Sequence, residues 1–308
     1  MDESIVLNDG IALNDSVVVN DHIVVNGHIA SSLDVRDRSV AYGHGVFETM
    51  RLHDGQFPLW QFHRQRLAKG LAVLGIPFDE SLVDGCLQKL LTHCPPMGVV
   101  KLTVTAGITG RGYAIQQTLE PTVVAMWLPI PAYPDLSVCL HICRYQLPEN
   151  PVLAGIKHLN RLDQILAARE ISEGFDLAEG SENGMSGTVP LLLDTSSRVV
   201  EALSHNIFVL SDGKWLTPAL DRCGVEGVMR ALLLEEVIGE AGQTATISNF
   251  GVDLLLSARE VFICNSVMGI LPVSRLTGRE SNYNSHYCHN QTDMINKSLR
   301  EMYPCYAV

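Results

Sequence analysis

Lys157 stands in the string AGIKHLNRLDQ, residues 154–164, between a glycine step and a run with helical spacing. An amine held out of water loses its charge more easily and becomes nucleophilic near neutral pH, so it can form an imine with a carbonyl. A lysine that keeps its head group in water has no such reactivity. The string alone leaves both interpretations open.

Three other segments offer partners for a reactive amine. Gly224 and Val225 precede a helix-like run, whose first backbone N–H groups can bind a phosphate. Arg66, in FHRQRL, carries a guanidinium that can bind phosphate through two hydrogen bonds. Glu201 ends a β-branched strand and, if buried, needs a partner such as a protonated ring nitrogen. Each residue alone also has an ordinary structural explanation, but together they describe the groups that bind pyridoxal 5′-phosphate (PLP).

Apolar periodicity predicts alternating helices and strands around these residues. Helices are predicted over 60–76, 79–94, 158–173, 224–242 and 251–260. Strands are predicted on both sides of an Asp54–Gly55 turn and over 98–107, 121–130, 137–147, 189–220 (several, with turns at DTSS and SDGK), 244–248 and 260–273. This order favours an α+β fold of two domains with mainly antiparallel sheets over a parallel doubly wound sheet.

The predicted domain limits follow shifts in composition. An N-terminal extension, 1–22, carries six-residue repeats with Asn8, Asn14, Asn20 and Asn26 at their turns, and only the last copy is needed by the domain after it. A small α+β domain over 23–128 is joined by a proline-rich linker, 129–137, to a larger PLP-binding α+β domain over 138–308. The polar, glycine-rich segment between Glu173 and Pro190 is predicted to be a surface insertion.

Composition excludes several functional classes. The net charge of −12 disfavours a nucleic-acid partner, while 46% hydrophobic and 18% charged residues indicate a large core. No apolar run reaches membrane-spanning length, and the start MDES resembles no signal peptide, so we expect a cytoplasmic protein. The eight cysteines form no CxxC pair, which favours reduced thiols and no metal site.

The order of the motifs resembles a known family. AYGHGVFETMRLHDG, FHRQRL, GRGY, AGIKHLNRLDQ, VVEALSHNIF, LDRCGVEGVMR and VFICNSVMGILPV, from about Ile23 to residue 273, are similar to the fold-type IV, class IV aminotransferase-like PLP enzymes. AGIKHLNRLDQ, GRGY and ICNSVM most resemble the lyase branch, which converts 4-amino-4-deoxychorismate to 4-aminobenzoate and pyruvate in folate biosynthesis. The N-terminal repeats and the 173–190 insertion depart from the family pattern.

The resemblance implies a role for individual residues. Lys157 matches the lysine that holds PLP and moves the proton, Glu201 the acid at the ring nitrogen, and Arg66 the phosphate-binding arginine. The other matched positions are Gly224, Val225 and Ser266 for the phosphate, Asn265 for an active-site asparagine, and Thr49, Arg51 and Arg111 for the substrate pocket. His44 falls where the family varies and receives no role.

The family also implies a homodimer that binds a small-molecule substrate. Two alternatives stay open: a branched-chain or D-amino-acid aminotransferase on the same scaffold, and a degenerate homologue that acts as a scaffold through its N-terminal repeats. The presence of Lys157, Arg66 and Glu201 argues against the degenerate homologue.

Overall fold

The computed structural model describes residues 22–30, 32–115, 118–132, 137–174, 187–278 and 284–307. Residues 1–21 with most of the first three repeat copies, most of the glycine-rich segment (175–186) and linker residues 133–136 lie outside the described residues. The predictions for these segments therefore stay predictions. Within the described ranges, no helix combines the length and apolar character that a bilayer crossing requires.

A five-stranded antiparallel sheet, in the order β2-β1-β5-β4-β3, forms from the first part of the chain. Its strands are β1 (Ile23–Val25), β2 (His28–Ile29), β3 (Gly45–Leu52), β4 (Gly98–Thr105) and β5 (Thr122–Leu128). The turn expected at Asn26 in the last repeat copy is present, because Asn26 and Gly27 adopt the positive φ angles (48° and 80°) of a tight turn between β1 and β2.

Three helices lie between the strands of this sheet in chain order: α1 (Arg38–Tyr42), α2 (Trp60–Val73) and α3 (Glu80–Leu91). Apolar side chains of α2 and α3, such as Leu67, Leu71 and Leu90, pack with the strands in one buried cluster. The strand predicted after the Asp54–Gly55 turn is reduced to a single bridge between His53 and Gln56. Pro58 follows closely and has no N–H to donate, so the ladder cannot continue.

A nine-stranded sheet contains the remaining strands, in the order β11-β10-β9-β12-β13-β6-β7-β8, with β14 paired to β13. The strands are β6 (Val138–Leu147), β7 (Thr188–Asp194), β8 (Val199–Glu201), β9 (Asn206–Ser211), β10 (Lys214–Thr217), β11 (Ala245–Ile247), β12 (Glu260–Asn265), β13 (Gly269–Gly278) and β14 (Asn284–His286). The sheet is mixed: β6 runs parallel to β7 and β13, and β10 runs parallel to β11. A helix between β6 and β7 makes the parallel pairing possible.

The helices of this part cover the nine-stranded sheet. They are α4 (Leu162–Gly174), α5 (Val228–Leu232), a π-helical turn (Leu233–Val237), α6 (Ile238–Glu240), α7 (Val252–Ser257), α8 (Asn290–Met302) and a short 3-10 turn (Pro304–Tyr306). Both carboxylate oxygens of the fully buried Glu260 accept the N–H of Gln291, and Oε2 also accepts that of Thr292, so Glu260 caps α8.

The segment before α4 is extended, whereas periodicity predicted a helix from residue 158. The N–H of Phe47 donates to the carbonyl of Lys157 (2.9 Å), and the N–H of Leu159 donates to that of Gly45 (2.9 Å). Gly155 exchanges backbone hydrogen bonds with Gly224 and Glu226 (both 3.0 Å). These bonds to β3 and to the turn before α5 replace the first helical turn, and they fix Lys157 where the two sheets approach each other.

Candidate active site

A cavity of about 910 Å³ is lined by residues of both sheets and of the segment that joins β6 to α4. Most of the predicted site residues share this cavity. Those that line it are Thr49, Arg66, Lys157, Glu201, Val225, Asn265 and Ser266.

Lys157 presents its amine on the face of an aromatic ring. Its Nζ lies 4.6 Å from the ring centroid of Phe47, at cation–π distance. Burial, followed by the nearby positive charge of Arg66, lowers the pKa of Lys157 from 10.5 to about 8. Of the two interpretations that the sequence left open, the structure therefore favours the desolvated amine. With this pKa, a useful fraction of Lys157 is neutral near physiological pH.

Glu201 is a buried carboxylate at the end of β8, only 3% exposed. One of its oxygens accepts the N–H of Val225 (2.8 Å), and the other accepts Nε2 of Gln164 (3.4 Å). Burial raises the pKa of Glu201, and the N–H of Val225 and the positive charge of Arg161 oppose that rise. Such a carboxylate can hold a proton on a nitrogen base placed beside it.

Arg66 is fixed by an ion pair with Glu48, which is 1% exposed. Its Nε donates to Glu48 Oε1 (2.9 Å), and its Nη1 donates to the carbonyl of Glu226 (3.0 Å). His63 binds the same carboxylate through Nδ1 (2.7 Å). Burial alone would raise the pKa of Glu48, but Arg66 and His63 together lower it to about 2. The guanidinium is thus held against the turn that precedes α5.

The turn before α5 depends on two glycines. Gly224 has φ +82°, and a Cβ there would lie 2.7 Å from Val200 and 3.2 Å from a Glu201 oxygen. At Gly227 a Cβ would lie 1.8 Å from the side-chain oxygen of Asn206, whose amide nitrogen donates to the carbonyl of Val225 (2.9 Å). Gly224 does not line the cavity itself, but it shapes the turn that does.

The turn after β12 also lines the cavity. Ser266 Oγ donates to the carbonyl of Thr49 (2.8 Å), which links β12 to β3. The side-chain oxygen of Asn265 accepts the N–H groups of Val267 (3.0 Å) and Met268 (2.7 Å) and so stabilises the turn. Asn265, Ser266 and Thr49 are all brought to the cavity.

Arg51 and Arg111 do not line the cavity, although both were predicted to line the substrate pocket. The guanidinium of Arg51 is buried and donates to the carbonyls of Val267 (2.9 Å) and Cys305 (3.1 Å), so it joins the two parts of the chain. Arg111 lies on an exposed loop. His44, given no role, binds Arg38 and the carbonyl of Leu74.

Phe47, Arg161, Gln164 and His205 are among the lining residues that were not predicted from the sequence, and each presents an aromatic ring or a polar group. Arg161 and Gln164 stand four and seven positions after Lys157, but the segment from Gly155 to Arg161 is not helical. Helical spacing therefore does not explain why the three residues share the cavity, and it gave no signal that could have assigned them.

The residues of the cavity fit PLP by their chemistry. An amine, a buried carboxylate and a fixed guanidinium match the aldehyde, the ring nitrogen and the phosphate of that cofactor. Buried polar atoms of Arg161 (Nη2), Gln164 (Oε1) and His205 (Nε2) have no hydrogen-bond partner among the described residues, which indicates a polar ligand.

Comparisons with known proteins agree with this geometry. A relative named aminodeoxychorismate lyase, from Vibrio harveyi, is 34% identical over 251 residues, 80% of this chain and 88% of its own length. The solved structure of 4-amino-4-deoxychorismate lyase from Pseudomonas aeruginosa superposes with a TM-score of 0.79 and 36% identity, covering 91% of this chain and 99% of that one.

A third relative, a putative branched-chain-amino-acid aminotransferase from Methanocaldococcus jannaschii, is 27% identical over 280 residues, 89% of this chain and 90% of its own length. The family described as amino-transferase class IV matches residues 45–276, a range that contains every site residue predicted above. The chain therefore belongs to the class IV aminotransferase family.

Proposed function

We propose that this chain is a PLP-dependent lyase that converts 4-amino-4-deoxychorismate to 4-aminobenzoate and pyruvate, a step toward folate. The observation that carries the proposal is the cavity in which Lys157, with a pKa of about 8, shares a wall with the buried carboxylate of Glu201. The names of the Vibrio harveyi and Pseudomonas aeruginosa relatives support this substrate.

The proposal assigns each cofactor contact to a residue of this chain. Lys157 holds the aldehyde carbon, Glu201 the ring nitrogen, and Arg66 with the turn at Gly224 and Val225 the phosphate. Ser266 and Asn265 complete the binding site, with Thr49 on the substrate side. When bound, PLP supplies an electron sink for charge that develops on the substrate carbon bearing the amine.

The protein's own task in this reaction is to move one proton. The neutral amine of Lys157 accepts the proton from C4 of the substrate, and a pKa near the working pH suits a group that must accept it and then release it. The C3–O bond breaks, the ring becomes aromatic, and the enol leaves and is protonated to pyruvate. The proton held on Lys157 is then available to that leaving group.

Glu201 stabilises the positive charge on the ring nitrogen of the cofactor and takes no part in proton transfer at the substrate. Burial favours its neutral form, so the carboxylate ionises readily only when a cationic partner lies beside it. A protonated ring nitrogen is such a partner, and Glu201 keeps the proton on that nitrogen. The backbone N–H of Val225 fixes the carboxylate in this position (2.8 Å).

An aminotransferase acting on branched-chain or D-amino acids is the second candidate, because it would use Lys157, Glu201 and Arg66 in the same way. The similarity to the Methanocaldococcus jannaschii protein favours it. The two functions differ in their products: the lyase releases pyruvate from 4-amino-4-deoxychorismate, whereas the aminotransferase passes an amino group to a 2-oxo acid.

The test measures cofactor and products with the same preparations. Purified protein with added PLP is expected to show the absorbance of a lysine-bound cofactor and to release pyruvate and 4-aminobenzoate in equal amounts. Lys157→Ala should lose both signals, and Lys297→Ala, on the exposed face of α8, should keep both. Amino transfer from D-alanine or a branched-chain amino acid without pyruvate release would favour the second candidate. A protein that binds no PLP would refute both candidate functions.

The proposal also covers organisation and location. It divides the chain into a small domain over 23–128, a linker over 129–137 and a PLP-binding domain over 138–308, with 1–22 as an extension. Each sheet falls within one of the two domains.

The proposal also includes a homodimer, which is supported by exposed apolar residues at the start of α4. A cytoplasmic location agrees with cysteines that have no paired spacing.

A further inference from the structure

Arg161 lies close enough to Lys157 for its positive charge to help lower the pKa of that amine. It stands one residue before α4 and lines the cavity. Its Nε donates to the carbonyl of His158 (2.7 Å), which fixes the plane of the guanidinium. The guanidinium carbon lies 5.9 Å from the ring centroid of Phe47, the same ring that faces Nζ of Lys157 at 4.6 Å.

The far end of this guanidinium lacks a partner. Nη2 of Arg161 is buried and has no hydrogen-bond partner within the described ranges. A buried donor of a charged group without an acceptor costs free energy, so native structures satisfy nearly all of them with protein, water or ligand. Burial lowers the pKa of Arg161, although the nearby carboxylate of Glu201 opposes that change. An anionic oxygen from a ligand would satisfy the donor and restore the charge balance.

The other arginines predicted for the site, Arg51 and Arg111 for the substrate and Arg66 for the phosphate, either have partners in the protein or lie outside the cavity wall. Arg51 donates to two backbone carbonyls, and Arg66 is paired with Glu48. Arg111 is exposed and outside the cavity wall. Among these arginines and Arg161, only Arg161 combines a place in the cavity with a buried donor that has no partner.

We propose that Arg161 binds a carboxylate of the substrate, namely the one on the enolpyruvyl group that leaves. The inference rests on the proposed function, which supplies a substrate with two carboxylates. The enolpyruvyl group is attached to C3, next to the carbon that bears the amine. A cation beside Lys157 is therefore closer to this carboxylate than to the one on C1, across the ring. Held by Arg161, the leaving group is oriented for departure and its negative charge is balanced.

Kinetics of Arg161→Gln and Arg161→Lys test this assignment. Arg161→Gln is expected to raise KM for 4-amino-4-deoxychorismate about 10- to 100-fold, since it removes a charge-assisted hydrogen bond. Arg161→Lys should recover part of the loss, because it restores the charge without the planar fork. PLP affinity and the absorbance maximum of the holoenzyme should not change. The matched control is Arg64→Gln, which removes the same charge from an exposed pair with Glu80.

Product inhibition identifies which carboxylate is bound. The inhibition constant of pyruvate should rise in Arg161→Gln and that of 4-aminobenzoate should stay constant. The reverse pattern would overturn the assignment to the leaving group. An unchanged KM with altered PLP affinity or absorbance would mean that the guanidinium binds the cofactor, and it would also overturn the proposal. Should Arg161→Gln not fold, the Lys variant carries the same comparison.

The experiments distinguish a failure of the proposed lyase function from a failure of the role proposed for Arg161. Wild-type protein that binds PLP but releases no pyruvate would refute the lyase function itself. Wild-type protein with full lyase activity and an Arg161→Gln variant with unchanged KM and inhibition constants would refute only the role of Arg161.

Discussion

Lys157 shows how the cost of burying an ammonium becomes chemical reactivity. With a pKa of about 8, roughly one amine in ten is neutral at pH 7, whereas a lysine at 10.5 has roughly one in three thousand. Backbone bonds to β3 fix the main chain of Lys157 beside that strand, and the ring of Phe47, on the same strand, faces the amine. Reactivity at this residue is therefore a property of the backbone path around it.

The apo-protein is predicted to react at Lys157 with a small acylating reagent in a pH-dependent way. Only the neutral amine reacts, and lowering the pKa moves the rise in reactivity to lower pH. The modified fraction at Lys157 should therefore increase with pH to a midpoint of about 8, as measured by mass spectrometry of the peptide. Lys157→Arg, treated in parallel, gives the background. A midpoint above 10 would show that the amine is exposed to water.

Single residues were predictable where their type is chemically restrictive. Lys157, Arg66 and Glu201 meet in one cavity as their types suggested, because few side chains can serve an aldehyde, a phosphate and a ring nitrogen. Arg51 and Arg111 could not be judged this way, since an arginine can donate to a backbone carbonyl as well as to a carboxylate. Only the folded positions of Val267 and Cys305 reveal which partner Arg51 has.

Among the elements, the turn before α5 connects binding with stability. It presents Val225 to Glu201, it accepts the guanidinium of Arg66 through the carbonyl of Glu226, and it exchanges bonds with Gly155 next to Lys157. One turn thus helps to position three candidate site residues: Glu201, Arg66 and Lys157. Its conformation requires glycine at 224, where φ is +82° and neighbouring atoms leave no room for a Cβ.

Gly224→Ala is predicted to weaken PLP binding and to lower the free energy of unfolding by about 2 kcal/mol, from backbone strain and crowding of Val200 and Leu220. The new methyl group would also approach a Glu201 oxygen and displace it. Equilibrium dialysis with PLP and urea unfolding measure the two effects. Gly239→Ala, in α6 with no heavy atom within 4 Å of the added Cβ, is the matched control and should match or exceed wild-type stability. Equal losses in the two variants would contradict the prediction.

Local periodicity predicted most elements but not their ends. Helices α2 and α3 and strands β4 and β5 follow the predicted ranges, because their apolar faces cover a single buried cluster. The helix predicted from residue 158 begins at Leu162, since long-range bonds to Gly45 and Phe47 compete with the helical ones. Sequence spacing gives no information about such distant partners, so the first residue of this helix could be located only in the folded structure.

At the scale of the whole molecule, the parallel strands of the larger sheet could not be inferred from residue patterns. Strand β6 lies between β7 and β13, which are distant from it in sequence, and its alternation of buried and partly buried residues over 138–142 resembles that of an antiparallel strand. The arrangement brings β6 and β13 together, so that the first residues after the linker join the centre of the sheet. Strands of both sheets contribute residues to the cavity lining, so the site depends on both.

The start of α4 is predicted to form a dimer interface. Leu162, Ile165 and Leu166 are 71%, 58% and 44% exposed, and their spacing places them on one helix face. Adjacent exposed apolar side chains are costly in water and mark association surfaces. The protein is therefore expected to have a solution mass about twice the 33.7 kDa of the chain.

The variant Leu162→Glu with Leu166→Glu places two charges on this face and is predicted to be a monomer, measured by light scattering after gel filtration. Val73→Glu, an exposed apolar position on α2, is the control and should remain dimeric. Since α4 begins beside Arg161 and carries Gln164, loss of the partner should also loosen the cavity wall and lower turnover. A double variant that is still dimeric would place the interface elsewhere, and a monomeric variant with full turnover would separate assembly from catalysis.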